Sequence, residues 1–169
     1  SGLVMPYRFS VRAFWAQVHD TNVSWFSAVP TLFAYLLNDE TPPQINRDRL
    51  RFSRSASAPL SPDIHRRFED RFGLPIIETM GLTETGAQIL TNPMPPATRK
   101  IGSPGTAVGN EVIIGDESQA EVARGTTGEI LIRGANVMTG YLHQPEETAK
   151  TITAEGWLRT GDLGHMDED

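Results

Sequence analysis

The chain contains no cysteine in 169 residues, which excludes disulfides, thiolate metal ligands and a cysteine nucleophile, and fits a reducing, cytoplasmic setting. It is also poor in positive charge. Fifteen Lys and Arg stand against 21 Asp and Glu, for a net charge of -6. Phosphate backbones demand clustered cations, so a general nucleic-acid surface is excluded and any nucleotide partner should be a small molecule. No apolar run reaches the roughly 20 residues that span a bilayer. The first ten residues, SGLVMPYRFS, lack the basic start and long apolar stretch of a signal peptide. Four histidines, His19, His65, His143 and His165, show no mutual metal-ligand spacing and read as surface or helix-side residues. No GxGxxG follows a strand, which disfavours a Rossmann dehydrogenase.

The residues that are present alternate between two periods. Phe9 to His19 carries apolar residues at helical spacing behind Ser10, a candidate N-cap. Val23 to Val29 (VSWFSAV) reads as a short buried strand, broken by Pro30, and a helix follows from Thr31 to Asn38. After a Pro-rich turn (TPPQINRDR), LRFSRSASA is a strand running into a loop of small residues. Ser61-Pro62-Asp63 then opens a helix that Gly73 stops. LPIIE is the third strand. Strands separated by helices predict a parallel sheet, with ligand-binding loops after the strand C-termini. From about Asn92 the pattern changes: TNPMPPATRKIGSPG is a connector, NEVIIG, AEVA and GEILIRG are short strands, and QPEETAKTI is a helix starting at Pro145. The predicted fold class is therefore α/β, a layered sheet with flanking helices over residues 1–92, followed by a small β-rich, barrel-like subdomain over 93–169.

Three polar clusters carry candidate chemistry. In IETMGLTETG, Gly81 at a strand end lets backbone approach a flat ring or a phosphate. The Thr83 hydroxyl there can donate to a phosphate oxygen, and Glu84 is a hard ligand suited to Mg²⁺. The same residues could equally form a capped turn in which Thr83 and Glu84 satisfy backbone donors. In RTGDLG, Asp162 offers two coplanar oxygens to paired hydroxyls such as those of a ribose, or sits in a plain surface turn. SASAPLSP places small side chains at a strand end, either to admit a planar group or to let strand and helix pack closely.

In order and spacing, SAVPTLF, SASAPLSP, IETMGLTET, GEILIRGANVMTGYLHQPEET and GWLRTGDLGHMDED resemble successive segments of the adenylate-forming acyl-CoA synthetases. The resemblance covers essentially the whole chain. It implies a ligase that joins a carboxylic acid and ATP-Mg²⁺ into an acyl-adenylate and passes the acyl group to coenzyme A. It further implies that adenine (of ATP or AMP) lies between Ser57-Ala58-Pro59 and Met80-Gly81-Leu82, that Thr83 bonds phosphate, that Glu84 holds Mg²⁺ and that Asp162, in the turn ending the second subdomain, takes the ribose hydroxyls. Gly81 to Ala87 and Ser55 to Ala58 would wall the acid pocket. Two departures stand out: Met80 replaces a common aromatic residue, and SASAPL is less glycine-rich than usual.

The family's phosphate loop ending in Pro-Lys-Gly and its C-terminal lysine domain are not among these residues, so a central fragment, inactive alone, is expected. Exposed sheet edges or core faces on such a fragment would favour homodimers. TNPMPPATRKIGSPG resembles the equivalent loop of oxalate-CoA ligases, which implies a small or dicarboxylic acid, although medium-chain and aryl-acid synthetases share much of this region. An adenylation domain loading a carrier protein, or a truncated, noncatalytic nucleotide-binding or interaction module, are the alternatives.

Overall fold

The computed structural model describes residues 2–40, 45–86 and 88–169. The first four residues of the expected Pro-rich turn, 41–44, lie outside them, as does Ala87. Helix and strand alternate as α1 (Val11–Asp20), β1 (Trp25–Ala28), α2 (Pro30–Asn38), β2 (Phe52–Ser55), α3 (Pro62–Phe72) and β3 (Ile76–Gly81). A 3₁₀ turn (Thr83–Thr85) leads to β4 (Gln88–Thr91), β5 (Thr106–Ala107), β6 (Glu111–Gly115), β7 (Gly128–Arg133), α4 (Pro145–Thr151) and β8 (Leu158–Gly164). One sheet runs in the order β1-β2-β3-β4-β5 and the other in the order β6-β7-β8. The expected parallel pairing holds for β1, β2 and β3, and the second sheet is antiparallel. Among the described residues, no helix is long and apolar enough to cross a membrane.

The chain divides into two compact units, Ser1–Met80 with Thr91–Thr106, and Gly81–Leu90 with Ala107–Asp169. In the first, six aromatic rings close a circuit that ties three helices to β1. Trp15 meets Phe72 at 4.9 Å, Phe72 meets Phe68 at 4.6 Å and Phe68 meets Phe33 at 4.9 Å between ring centroids. Phe33, Phe26 and Phe14 complete it back to Trp15. Tilted and edge-on pairs of this kind add roughly 0.5–1.5 kcal/mol each beyond area burial. The alternation of β1 follows: Phe26 and Ala28 face this core, while Trp25 faces the other way and stacks on Phe52.

Local signals place the helices but act differently from expectation at their starts. Ser10 and Ser61 stand at N-cap positions, yet their side chains make no capping bond; their carbonyls accept the N–H of Phe14 and His65 instead. Pro30 begins α2 rather than only ending the strand, because a proline at the first helical position loses no hydrogen bond. Gly73 closes α3 in a left-handed conformation, φ 56°, as its sequence position predicts.

Two expectations in the second unit are corrected. AEVA is not a strand: only Glu121 forms a single bridge to Gly115, because the Asp116 carboxylate captures the N–H groups of Ser118 and Ala120 and curls the chain. RTGDLG is not a free turn but the body of β8, which pairs along β7. The core of this unit is Ile114, Ile130, Leu131, Ile132 and Leu158, each under a tenth exposed.

Candidate functional site

Strand β3 continues past LPIIE to Gly81, so Met80 and Gly81 belong to the strand and Leu82 starts the turn that carries Thr83 and Glu84. Thr85 caps this turn. Its hydroxyl accepts the Leu82 N–H at 3.2 Å and donates to the Leu82 carbonyl at 2.9 Å. Gly86 then leaves in a left-handed conformation, φ 61°. Of the two readings of this stretch, the capped turn is therefore real, but Thr85 makes the cap. Thr83 is exposed, and its hydroxyl makes no hydrogen bond among the described residues.

Glu84 is half-buried, and its Oε1 accepts a hydrogen bond from the Tyr141 hydroxyl at 2.8 Å. Its second oxygen, Oε2, has no partner among the described residues. The turn is tied down by two further bonds: the Met138 N–H donates to the Glu84 carbonyl, and Asn136 Nδ2 donates to the Thr85 carbonyl. Leu82, Glu84 and Tyr141 line a cleft of about 360 Å³, whose other wall includes Glu129, Arg159, Thr160 and Gly161. The second unit thus brings Glu84 to one cleft with the turn that carries Asp162. Asp162 is exposed, its N–H donates to Thr160 Oγ1, and its carboxylate accepts nothing among the described residues.

The hydrogen bond to the Glu84 carboxylate is the chief reason the Tyr141 phenol is held above its ordinary pKa, since ionising it would set two anions together. Glu84→Ala, which removes the acceptor as well as the charge, should therefore return Tyr141 toward the ordinary phenol range. Phenolate absorbance of the purified chain as a function of pH reads this directly, and superimposable curves for the two proteins would contradict the pairing.

The remaining predicted residues lie in the first unit. Ser57, Ala58 and Pro59 are exposed after β2, and Ser57 takes φ 74°, a left-handed conformation that costs a non-glycine residue roughly 1 kcal/mol or more. Met80 is half-buried. Ala87, the last residue of the expected acid-pocket wall, lies outside the described residues.

One histidine departs from expectation. His65 is 1% exposed, not a surface residue: Nδ1 lies 2.8 Å from Glu78 Oε1 and Nε2 lies 3.0 Å from Glu69 Oε1. With an acceptor at each nitrogen, the ring satisfies both contacts only as the doubly protonated imidazolium. Burial acts to lower its pKa, but the two carboxylates outweigh burial and raise it. Glu69 is likewise opposed by burial and still driven to about 2 by His65, Arg99 and the Ile76 N–H. Arg99, the arginine of the connector after β4, bonds Glu69 at 2.7 Å and the Ile76 carbonyl at 3.1 Å, so it is committed to this network. Tyr141 and Glu129 escaped the sequence reading because their partners lie 57 and 32 residues away and no spacing rule links them; Glu69 stands one helical turn from His65, but Glu78 comes from another element, 13 residues on.

The geometry is thus a strand-end turn with an open hydroxyl and a half-open carboxylate in an α/β chain. The chain belongs to the AMP-binding enzyme family, whose profile matches residues 2–142. It is 46% identical over 167 residues to the sulfoacetate–CoA ligase of Cupriavidus necator, covering 99% of this chain and 32% of that protein. The oxalate–CoA ligase of Saccharomyces cerevisiae is 36% identical over 168 residues, 99% of this chain and 31% of its own. The crystal structure of ATP-bound MatB from Rhodopseudomonas palustris matches with a TM-score of 0.87 at 31% identity, over 95% of this chain and 32% of that one. The fold is accordingly that of the acyl-CoA synthetase-like enzymes. The chain spans about a third of the length of the curated relatives it matches.

Proposed function

We propose that the protein to which this chain belongs is an ATP-dependent carboxylic acid–CoA ligase. In this reading an acid and ATP form an acyl-adenylate and pyrophosphate, and the acyl group then passes to the thiol of coenzyme A. The observation that carries it is the turn after β3, where Thr85 supplies the cap and leaves the Thr83 hydroxyl and one Glu84 oxygen open.

Those groups suit the roles proposed for them. Thr83 would bond a phosphate oxygen, and Glu84 would hold Mg²⁺, an ion commonly bound through one or two carboxylates together with substrate phosphates. When bound, the cation neutralises charge developing on the phosphates. Ser57-Ala58-Pro59 and Met80-Gly81-Leu82 would contact adenine, and the exposed Asp162 would accept the ribose hydroxyls. Adenylyl transfer needs positioning and charge neutralisation more than a protein nucleophile, so the lack of cysteine is no obstacle. A cytoplasmic setting for that protein, and self-association of this chain through its β1 sheet edge, where Trp25 is 43% exposed, belong to the same proposal.

The sulfoacetate and oxalate ligases among the relatives support a small acid carrying a second anionic group, in line with the connector TNPMPPATRKIGSPG, while 4-coumarate–CoA ligases also match. In an acid panel assayed by CoA-thioester formation, the intact protein should use sulfoacetate, oxalate or another short dianion best. These 169 residues alone should form no thioester. Oxalate and sulfoacetate ranking among the poorest substrates would dismiss the small-dianion assignment, and turnover by the chain alone near that of the intact protein would dismiss the second expectation.

A further inference from the structure

The turn that carries Asp162 is a wide irregularity inside β8. Glu129 pairs with Leu163 and Leu131 pairs with Arg159, so Thr160, Gly161 and Asp162 together stand opposite Ile130 alone. Extra residues in one strand of a pair bend it and aim a side chain out of the ladder. Gly161 adopts φ 75°, which a glycine accepts without penalty.

This shape is held by one carboxylate and one hydroxyl. Glu129 Oε1 accepts the Gly161 N–H at 2.9 Å, and Glu129 Oε2 accepts Arg159 Nε at 3.0 Å, with Arg159 Nη2 also at 3.0 Å. Thr160 Oγ1 donates to the Ile130 carbonyl at 2.8 Å and accepts the Asp162 N–H at 3.0 Å. Glu129 lies within β7, paired with Gly115 of β6 and Leu163 of β8, and beside it β6 and β7 approach so closely that a side chain at Gly128 would meet the Gly115 carbonyl at 2.3 Å. Both oxygens of Glu129 are spent inside the bulge, while the Asp162 carboxylate stays exposed and unpartnered among the described residues.

We infer that Glu129 is the positioning residue for Asp162: by closing the Thr160–Asp162 bulge, it presents the Asp162 carboxylate in the orientation that accepts the paired hydroxyls of a nucleotide ribose. This rests on the ribose role proposed for Asp162. The essential contact is geometric. Arg159 is 43% exposed, so its ion pair is screened, whereas the Gly161 N–H bond sets the path of the backbone.

The test compares ATP with 2′-deoxyATP and 3′-deoxyATP in the intact protein, by kcat/KM. A carboxylate accepting a ribose hydroxyl should favour ATP by roughly 10- to 100-fold over the analogue lacking it. Glu129→Ala should lose most of that preference, leaving less than about 3-fold discrimination, with KM for the acid little changed. Glu129→Asp, one methylene short of Gly161, should lose it as well, and stands in if the alanine variant fails to fold. Glu129→Gln retains an acceptor for the Gly161 N–H and should keep most of the preference. A merely structural residue would lower activity on all three nucleotides alike. Full discrimination in the Ala or Asp variant, or its loss in Gln with retention in Asp, overturns the inference while leaving the ribose role standing. Absence of discrimination in the wild type, or its survival in Asp162→Ala, removes the ribose role itself and the inference with it.

Discussion

Replacing His65 by leucine should destabilise the chain by about 3–5 kcal/mol, the range found when one partner of a buried ion pair is removed and the other charge is left uncompensated. Leucine keeps an apolar side chain of comparable bulk in α3, so the loss reports on charge and hydrogen bonds more than on a void. The stranded group is Glu78, 7% exposed, which among the described residues would keep only the Gly102 N–H, while Glu69 would retain Arg99 and the Ile76 N–H. Urea unfolding measures the change directly.

The pH dependence gives this prediction a second handle. His65 has a folded pKa above its ordinary 6.5, so its contribution is complete below 6.5 and is lost as pH rises through the folded value. Glu69 is lowered from 4.5 to about 2, so its contribution is present above 4.5 and disappears as pH falls toward 2. The network therefore stabilises most between these limits, from about pH 4.5 to 6.5. The gap between wild type and His65→Leu should be widest in that window and shrink in alkali. A difference under about 1 kcal/mol, or one flat from pH 5 to 9, would contradict the imidazolium bridge.

Much of the fold is legible in the sequence where the signal is local. Ser61-Pro62-Asp63 and Gly73 bracket α3, Pro145 opens α4, and the runs VSWFSAV and LPIIE carry the strands β1 and β3. What is not legible depends on pairing. The Gly and Asp of RTGDLG suggest a turn, because nothing within the segment announces that β7 will hold its two ends in register and absorb the excess as a bulge. AEVA carries strand-like residues, but Asp116 upstream reaches over and consumes the backbone donors that a ladder would have used. His65 shows the same limit in the core. Its spacing along α3 puts it on the buried stripe with Phe68 and Phe72, yet a buried charged ring needs Glu78, arriving from β3, as well as Glu69 one turn along the helix.

At the site, residue types suggest chemistry and the fold decides which of them are free to perform it. Thr83 and Thr85 are indistinguishable by composition; the 3₁₀ turn assigns the cap to Thr85 and leaves Thr83 open. Glu84 and Glu129 are both acidic residues lining one cleft, but Glu129 has both oxygens engaged by the β8 bulge and Glu84 has one unengaged among the described residues. The candidate metal ligand and the candidate positioning residue are told apart by those bonds alone.

That difference frames the largest functional effect expected. In the intact protein, Glu84→Gln should slow adenylation at limiting Mg²⁺ by about 100-fold, the scale associated with removing a single electrostatic stabiliser of a transition state. The substitution isolates charge. Glutamine has nearly the same shape, its amide oxygen can still accept the Tyr141 hydroxyl, and the Thr85 cap does not involve this side chain. Raising Mg²⁺ should recover part of the rate, because a weaker site fills at higher concentration. Tyr141→Phe supplies the contrast: the anion stays but loses the bond that orients Oε1, a change worth about 1.5–3 kcal/mol at most for a charged acceptor and less where solvent can replace the phenol. Its deficit should therefore be several-fold, and it should appear in the Mg²⁺ requirement before it appears in the saturated rate. Pyrophosphate release measured across a Mg²⁺ series separates the two variants. An unchanged rate for Glu84→Gln at limiting Mg²⁺ would remove Glu84 from the metal site, and with it the role for which the open oxygen beside Tyr141 was proposed.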